Sequence, residues 1–582
     1  MLAACAVSPQ KRPESIDCHL VLDADEFVTK YELDDLRNEI RTGAFLVNDP
    51  DHAGCLEGLS DAEIRALALE KQPTPIFSRT IVNWFWSFPC VCTIGGATLM
   101  TDVFFICRGL VEVSSLQLAA GRDFPNESRP SARYSAALTG LYAEWVAAMV
   151  GCWCAIPLLK YFGHRGAVYF VVALRLAGLF GASIFSASSL DTIADAVAVV
   201  AGGMFSCIVP MYLVETSPVS MRGSMFIAWQ LSQGTGSWIR AQLASSGVDL
   251  STDGYWLFTL SLLGVAACFW VSPESPYWHA RKGGMRQAYN ALIKCRGNAL
   301  QASRDLYSMY LCKVSRSRCA TQRHVLQAAA IAAALLLSMI IPETSATLVL
   351  LSITDMADYN PTALVSKLMT PMLVSVATML CLLPLSINLI ERTGRRGLIM
   401  ASMVFISLIL FGSMLSAPAE PVMDAESYLA IPLMLIAPSG LQVTVWQLYA
   451  AEVSCSVGCE AAMAAAMTLS TLRDICATYS AVKIVERTHG KLAWAFSNYC
   501  LAAPLSLALH FVFMVLLGLV LLETRRCTLD EIRFALDVPI ANRVAYRIRI
   551  YTPYIFKRLF LRQHVEPEPF EQSQYGTGAI HL

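Results

Sequence analysis

Apolar stretches of about 20 residues recur along most of this chain, and no other feature limits its fold as strongly. A helix needs that length to cross a hydrocarbon core about 30 Å thick. Inside such a core every backbone N–H and C=O must also find its partner within protein. Twelve stretches fall at 81–106, 134–158, 167–188, 190–214, 222–244, 254–271, 325–352, 368–390, 397–416, 428–450, 461–485 and 499–522. Charged residues make up only 15% of the 582 positions, against about 25% in soluble domains. The expected fold is therefore an all-α membrane protein with twelve transmembrane helices.

The positions of Lys and Arg matter more than the net charge of −1. Arg281, Lys282, Arg286, Lys294, Arg296, Arg304, Lys313, Arg316, Arg318 and Arg323 crowd between spans six and seven, and the tail after 523 is basic too. By the positive-inside rule both segments face the cytoplasm, and an even span count puts both termini there. The expected location is multi-pass, in the plasma membrane. Asn126, in the sequon "NES", then lies outside, where glycosylation is possible.

The first ~75 residues lack the basic start and apolar core of a signal peptide. "LDADEFVTKYELDDLRNEI" reads as one acidic amphipathic helix, and Ser60 with Glu63 fits a capping box before a second. Most of the nineteen cysteines lie within spans, where Cys packs as a small apolar residue. Neither a metal site nor a structural disulfide is expected.

Charged turns repeat along the chain. "KYFGHRGAVYF" follows span two and "ERTGRRGLIM" follows span eight; "YLVETSPVSMRGSM" ends span four and "YAAEVSCSVGCEAAM" ends span ten. "SPESPYWHARKGG" follows span six and "LETRRCTLDEI" follows span twelve. Six spans followed by six with matching turns are an internal duplication, a carrier design whose site lies near midplane between the halves. The expected segments are 1–78, a cytoplasmic N-terminal segment; 79–271 and 325–522, the six-helix halves; 272–324, a cytoplasmic linker; and 523–582, a cytoplasmic tail.

These turns, in this order, resemble the signatures of the sugar porter branch of the major facilitator superfamily, and both ends of the chain resemble a fungal subgroup of it. The resemblance implies a latch. Acids at the ends of spans four and ten meet arginines of the turns when the inner face closes, so that Glu215 pairs with Arg165 and Arg222, and Glu452 with Arg395 or Arg396. Glu391, at the head of the same turn, belongs to this gating set. The residue seven past Glu452, where an arginine is usual, is Cys459. Arg forks do pair bidentately with carboxylates, although topology alone explains Lys160 and Arg392.

For the solute, the resemblance points to Gln230 in span five with Gln233 one turn on, and to Trp446 and Gln447 in span ten. Other positions depart from the family. Span one has "TIGGATL" and no acid before Asp102, Asp195 stands where the family has an arginine, and Ile340 and Ile341 occupy span-seven positions that should hold sugar hydroxyls. Arg473 and Asp474 lie within span eleven. A buried ionisable group normally faces a cavity or a partner, so Arg473 joins the substrate-binding candidates, while Asp102 or Glu144 is left to couple protons.

The implied function is transport of a small polar solute, a sugar or sugar-like molecule, by alternating access. Ordinary glucose should be a poor ligand, with little dependence on a proton gradient. An organic-acid carrier, favoured by Arg473, and a non-transporting nutrient sensor, favoured by the altered span seven, are the alternatives. Nothing in the sequence suggests an enzyme: no phosphate loop, metal cluster or nucleophile with its base is recognisable. The expected partners are the solute and the lipid bilayer, with protons as the candidate coupling ion; no cofactor and no nucleic acid are implied.

Overall fold

The computed structural model describes residues 16–48, 130–184, most of 189–230, most of 259–314, most of 389–412 and most of 425–557, with a few positions between 327 and 334. Span one, most of spans seven and eight, the 60–63 capping box, Asn126, Asp102, Gln233, Ile340 and Ile341 lie outside the described residues. Every regular element described is helical.

One compact unit joins Met1–Gln72 to Glu274–Arg316. Its elements are α1 (Ile16–Lys30), a 3-10 turn (Asp34–Leu36), α2 (Arg37–Asn48), α5 (Pro276–Lys282), α6 (Met285–Arg296) and α7 (Ala299–Val314). The sequence suggested one helix across 22–40, but the chain breaks at Glu32, whose φ is 53°. The break turns Phe27, Val28, Leu33 and Ile40 into one core, which neither a straight helix nor its 3.6-residue period would bring together. α6 supplies Met285, Ala288, Tyr289 and Leu292 at helical spacing, and α7 supplies Ala302, Leu306 and Tyr310. Phe27 is fully buried and stacks 4.4 Å from Tyr310 and 6.0 Å from Tyr307, the latter edge-on. Around this core, Arg41 grips both oxygens of Asp25 at 2.8 and 2.6 Å, Arg286 reaches Asp35 at 2.7 Å, and the Tyr289 hydroxyl donates to Glu39.

The second unit covers Pro73–Pro273 and Ser317–Leu582. Its α3 (Pro130–Ile184) runs through the expected spans two and three, with the helix broken at Gly163, φ 74° and ψ −175°, inside the "GHRG" turn. Next comes α4 (Ser189–Thr216), then α8 (Ala425–Val457), α9 (Glu460–Arg487) and α10 (Leu492–Val520). Among the described residues, Tyr142–Gly181 and Ala196–Thr216 are long and apolar enough to cross a membrane. The α3–α4 crossing is backbone against backbone: a Cβ on Gly203 would lie 2.0 Å from the Ala148 carbonyl, and one on Gly151 2.1 Å from that of Val200. Small residues permit such approach where lipid supplies no hydrophobic drive. The halves meet where the Trp153 indole donates to Thr468 (3.1 Å) and the Cys455 thiol to the Met211 carbonyl (3.7 Å). After α10, a full capping box of Thr528 and Glu531 starts α11 (Leu529–Asp537); α12 (Ile540–Tyr546) and a π-helical turn (Arg547–Tyr551) follow.

Truncating a buried aromatic side chain costs about 3 to 5 kcal/mol. Phe27→Ala is expected to speed amide hydrogen exchange in 16–48 and in 276–314 together. Faster exchange in α1 alone would show that the two segments do not fold as one.

Candidate gate and solute site

The turn "ERTGRRG" gathers its charges inward. Gly394, at φ 86°, reverses the chain where a Cβ would strike the Glu523 carboxylate at 2.3 Å. Glu523 accepts the backbone N–H groups of Arg395 (3.0 Å), Arg396 (3.2 Å) and Arg525 (2.9 Å), fixing the turn. That fold sends the Arg395 side chain into full burial, where it donates to Glu452 at 3.0 Å and to Glu391 at 3.2 Å. Burial alone opposes its charge, but Glu452, Glu391 and Glu523 outweigh that and raise its pKa above the usual arginine value. Arg396 goes elsewhere: it donates to the Gly518 carbonyl at 2.7 Å and lies over the Tyr551 ring.

Glu452 and Glu391 also reach the first half. Arg222 approaches Glu452 at 3.8 Å and donates to the Cys527 carbonyl at 3.2 Å. One oxygen of Glu391 accepts the N–H groups of Gly223 (2.9 Å) and Ser224 (3.2 Å) at the start of the helix that opens span five. A carboxylate there meets orphan donors and the positive end of the helix dipole. The second Glu452 oxygen accepts from Thr524 at 2.5 Å. The implied pairing of Arg222 with Glu215 is therefore corrected. Arg222 turns to the opposite half, because the 223–224 backbone is pinned on Glu391. Glu215, also buried, has the His164 ring 3.6 Å away, and Arg165 donates to the carbonyls of Phe269 and Trp270, each at 2.9 Å.

Of the solute candidates, Gln230 and Gln447 meet directly, amide to amide at 2.5 Å, joining spans five and ten. Trp446 is fully buried and its indole N–H has no partner. Sequence reasoning missed Gln442, fully buried one turn before Trp446, with neither amide atom hydrogen-bonded. It also missed Glu523, Thr524 and His164. The signal for Gln442 was present: an amide in an apolar span, four residues from a flagged indole. Arg473 is held by Asp474 at 2.6 Å, and Glu144 lies half-buried in α3.

Removing one partner of a buried ion pair costs about 3 to 5 kcal/mol, because a charge is left uncompensated. Arg395→Met is expected to lower the melting temperature of purified protein far more than Arg396→Met. Adding Glu452→Met to the first should recover part of the loss, whereas equal shifts for the two single variants would deny Arg395 this role.

Comparison with known proteins matches the chain over residues 90–534 to the family described as "Sugar (and other) transporter". It is 28% identical over 172 residues to the sugar transporter ERD6-like 17 of Arabidopsis thaliana, covering 28% of this chain and 34% of that protein. It is 32% identical over 159 residues to the proton myo-inositol cotransporter of Homo sapiens, 26% of this chain and 24% of that one. With the facilitated glucose transporter member 2 of Gallus gallus it shares 35% over 147 residues, 23% and 27% of the two chains. The chain thus matches about a quarter to a third of these relatives' own length. In structure it resembles the proton:xylose symporter XylE bound to 6-bromo-6-deoxy-D-glucose, with a TM-score of 0.59 and 16% identity, over 78% of this chain and 99% of that one. The chain belongs to the sugar (and other) transporter family, one of multi-pass membrane carriers rather than enzymes, and has the all-α fold of the major facilitator superfamily.

Proposed function

We propose that this protein carries a neutral, hydroxyl-rich solute, a sugar or sugar-like molecule, by alternating access, and that the described contacts hold one side of its path shut. The observation that carries this reading is the bridge from Arg222 and the 223–224 backbone to Glu452 and Glu391. It ties the first half to the second through charges that must part before that side opens. A ligand moves such an equilibrium only by binding one state better than the other. The Gln230–Gln447 bridge is a contact that solute hydroxyls can replace at little net cost, since amide donors and acceptors suit them.

The relatives named for sugars and for myo-inositol support this solute class. An anionic solute loses its main support, because Asp474 sits on Arg473. Among the described acids, Glu144 is the residue we assign to any proton coupling. The cluster of Lys and Arg between 281 and 323 supports a cytoplasmic location for that segment and for both termini, and the plasma membrane is the membrane we assign it to.

Losing one hydrogen bond to a ligand costs about 1 kcal/mol, or roughly fivefold in affinity. In transporter-null cells supplied with labelled D-glucose, D-xylose and myo-inositol, Gln230→Ala and Gln442→Leu should raise KM about that much or more. Gln442→Leu should leave the melting temperature unchanged or higher, since it removes unpaired buried polar atoms. Unaltered KM in both variants, or uptake of only organic acids, would sink the reading. An epitope tag inserted at Gly297 should be reached by antibody only after permeabilisation; labelling of intact cells would invert the orientation.

A further inference from the structure

The end of α10 holds a cluster of arginines that the gate does not use. Arg547 is 1% exposed and donates to the carbonyls of Gly518 (3.2 Å), Leu519 (2.8 Å) and Leu521. Arg396 shares the Gly518 carbonyl at 2.7 Å, so the two guanidinium groups are neighbours. Arg543, also 1% exposed, stands one turn before Arg547 on the same helical face and donates to the Gln327 side chain at 3.1 Å. Their N–H groups are not all used: Nε and Nη1 of Arg543 and Nε of Arg547 are buried without a partner. None of the three side chains makes an ion pair with a carboxylate among the described residues. Glu523, the acid nearby, spends its oxygens on the backbone N–H groups of Arg395, Arg396 and Arg525.

The magnitudes do not balance as they stand. The C-terminal end of a helix offers about half a negative charge, against three guanidinium groups that stay protonated in protein. Burial, and then Arg396 and Arg543, pull the Arg547 pKa down to about 9, and burial lowers that of Arg543 as well. Buried cations with orphan donors are costly unless paired, and the planar arginine fork matches the oxygens of a phosphate.

We infer that Arg396, Arg543 and Arg547 form a binding site for a phosphate-bearing anion at the C-terminal end of α10. The anion accepts the orphan N–H groups and fastens the 540–551 segment to that helix. Two sources share this chemistry: the headgroup of an anionic phospholipid, supplied where a spanning helix leaves the bilayer, and free phosphate in solution.

The test uses the full-length purified protein and hydrogen exchange at residues 540–551. One arm adds inorganic phosphate to protein in detergent, against chloride at equal ionic strength. The other compares nanodiscs of phosphatidylcholine with and without phosphatidic acid. At least a threefold slowing of exchange in the first arm identifies free phosphate as sufficient; slowing in the second arm alone identifies the lipid headgroup. Arg543→Gln and Arg547→Lys, both checked for unchanged size-exclusion behaviour, should each remove the effect. The assignment is overturned if neither arm slows exchange, if chloride works as well as phosphate, or if the slowing survives in a folded variant.

Discussion

Arg395 is the residue on which the described part of this protein turns. Its guanidinium is fully buried, and it persists as a cation because Glu452 and Glu391 stand at 3.0 and 3.2 Å. Each of those acids then has another oxygen or face left over, and each uses it on something distant in sequence. Glu452 takes Thr524 and approaches Arg222; Glu391 takes the first N–H groups of span five. Because a buried charge tolerates no missing partner, these contacts stand or fall together. That coupling is why the proposed gate rests on this cluster.

The connection after α10 belongs to the same construction. Glu523 sets the backbone of the "GRR" turn, Thr524 satisfies Glu452, and the Cys527 carbonyl receives Arg222. A stretch of a few residues at the end of the last span thus touches both halves. The following helices add Arg547 on the last carbonyls of α10, in the manner of a C-cap supplied from outside the helix.

Away from this cluster, polarity is handled without charge. Gln230 and Gln447 bridge the halves through neutral amides, while Gln442 and Trp446 leave polar atoms unpaired on one face of α8. Unpaired buried donors cost about 1 to 3 kcal/mol each, a cost that a hydroxyl-bearing ligand can offset and an apolar one cannot. The folded unit of α1–α2 with α5–α7 obeys ordinary water-soluble rules instead, with an aromatic core ringed by ion pairs.

Much of the architecture was legible in the sequence, because the length of an apolar run is set by bilayer thickness and charge is too costly to leave inside it. The twelve runs and the repeated turns follow from that local chemistry, and the resemblance of those turns to a known family implies the rest, including the set of residues around Glu452, Arg395 and Glu391. Which of them meet was not legible. The resemblance set Arg222 against Glu215, whereas in the structure Arg222 approaches Glu452 while the backbone of residues 223–224 is held by Glu391. Likewise, the run 22–40 reads as one helix by periodicity, yet Glu32 breaks it so that Phe27 and Ile40 share a core with α7. Gln442, Glu523 and the Arg396, Arg543 and Arg547 cluster owe their significance to burial and to partners on other segments of the chain, or to partners that are absent. Hydrophobic length and charge placement are properties of a segment, and the sequence determines them; the pairing of buried charges is a property of the space between segments, and only the tertiary structure decides it.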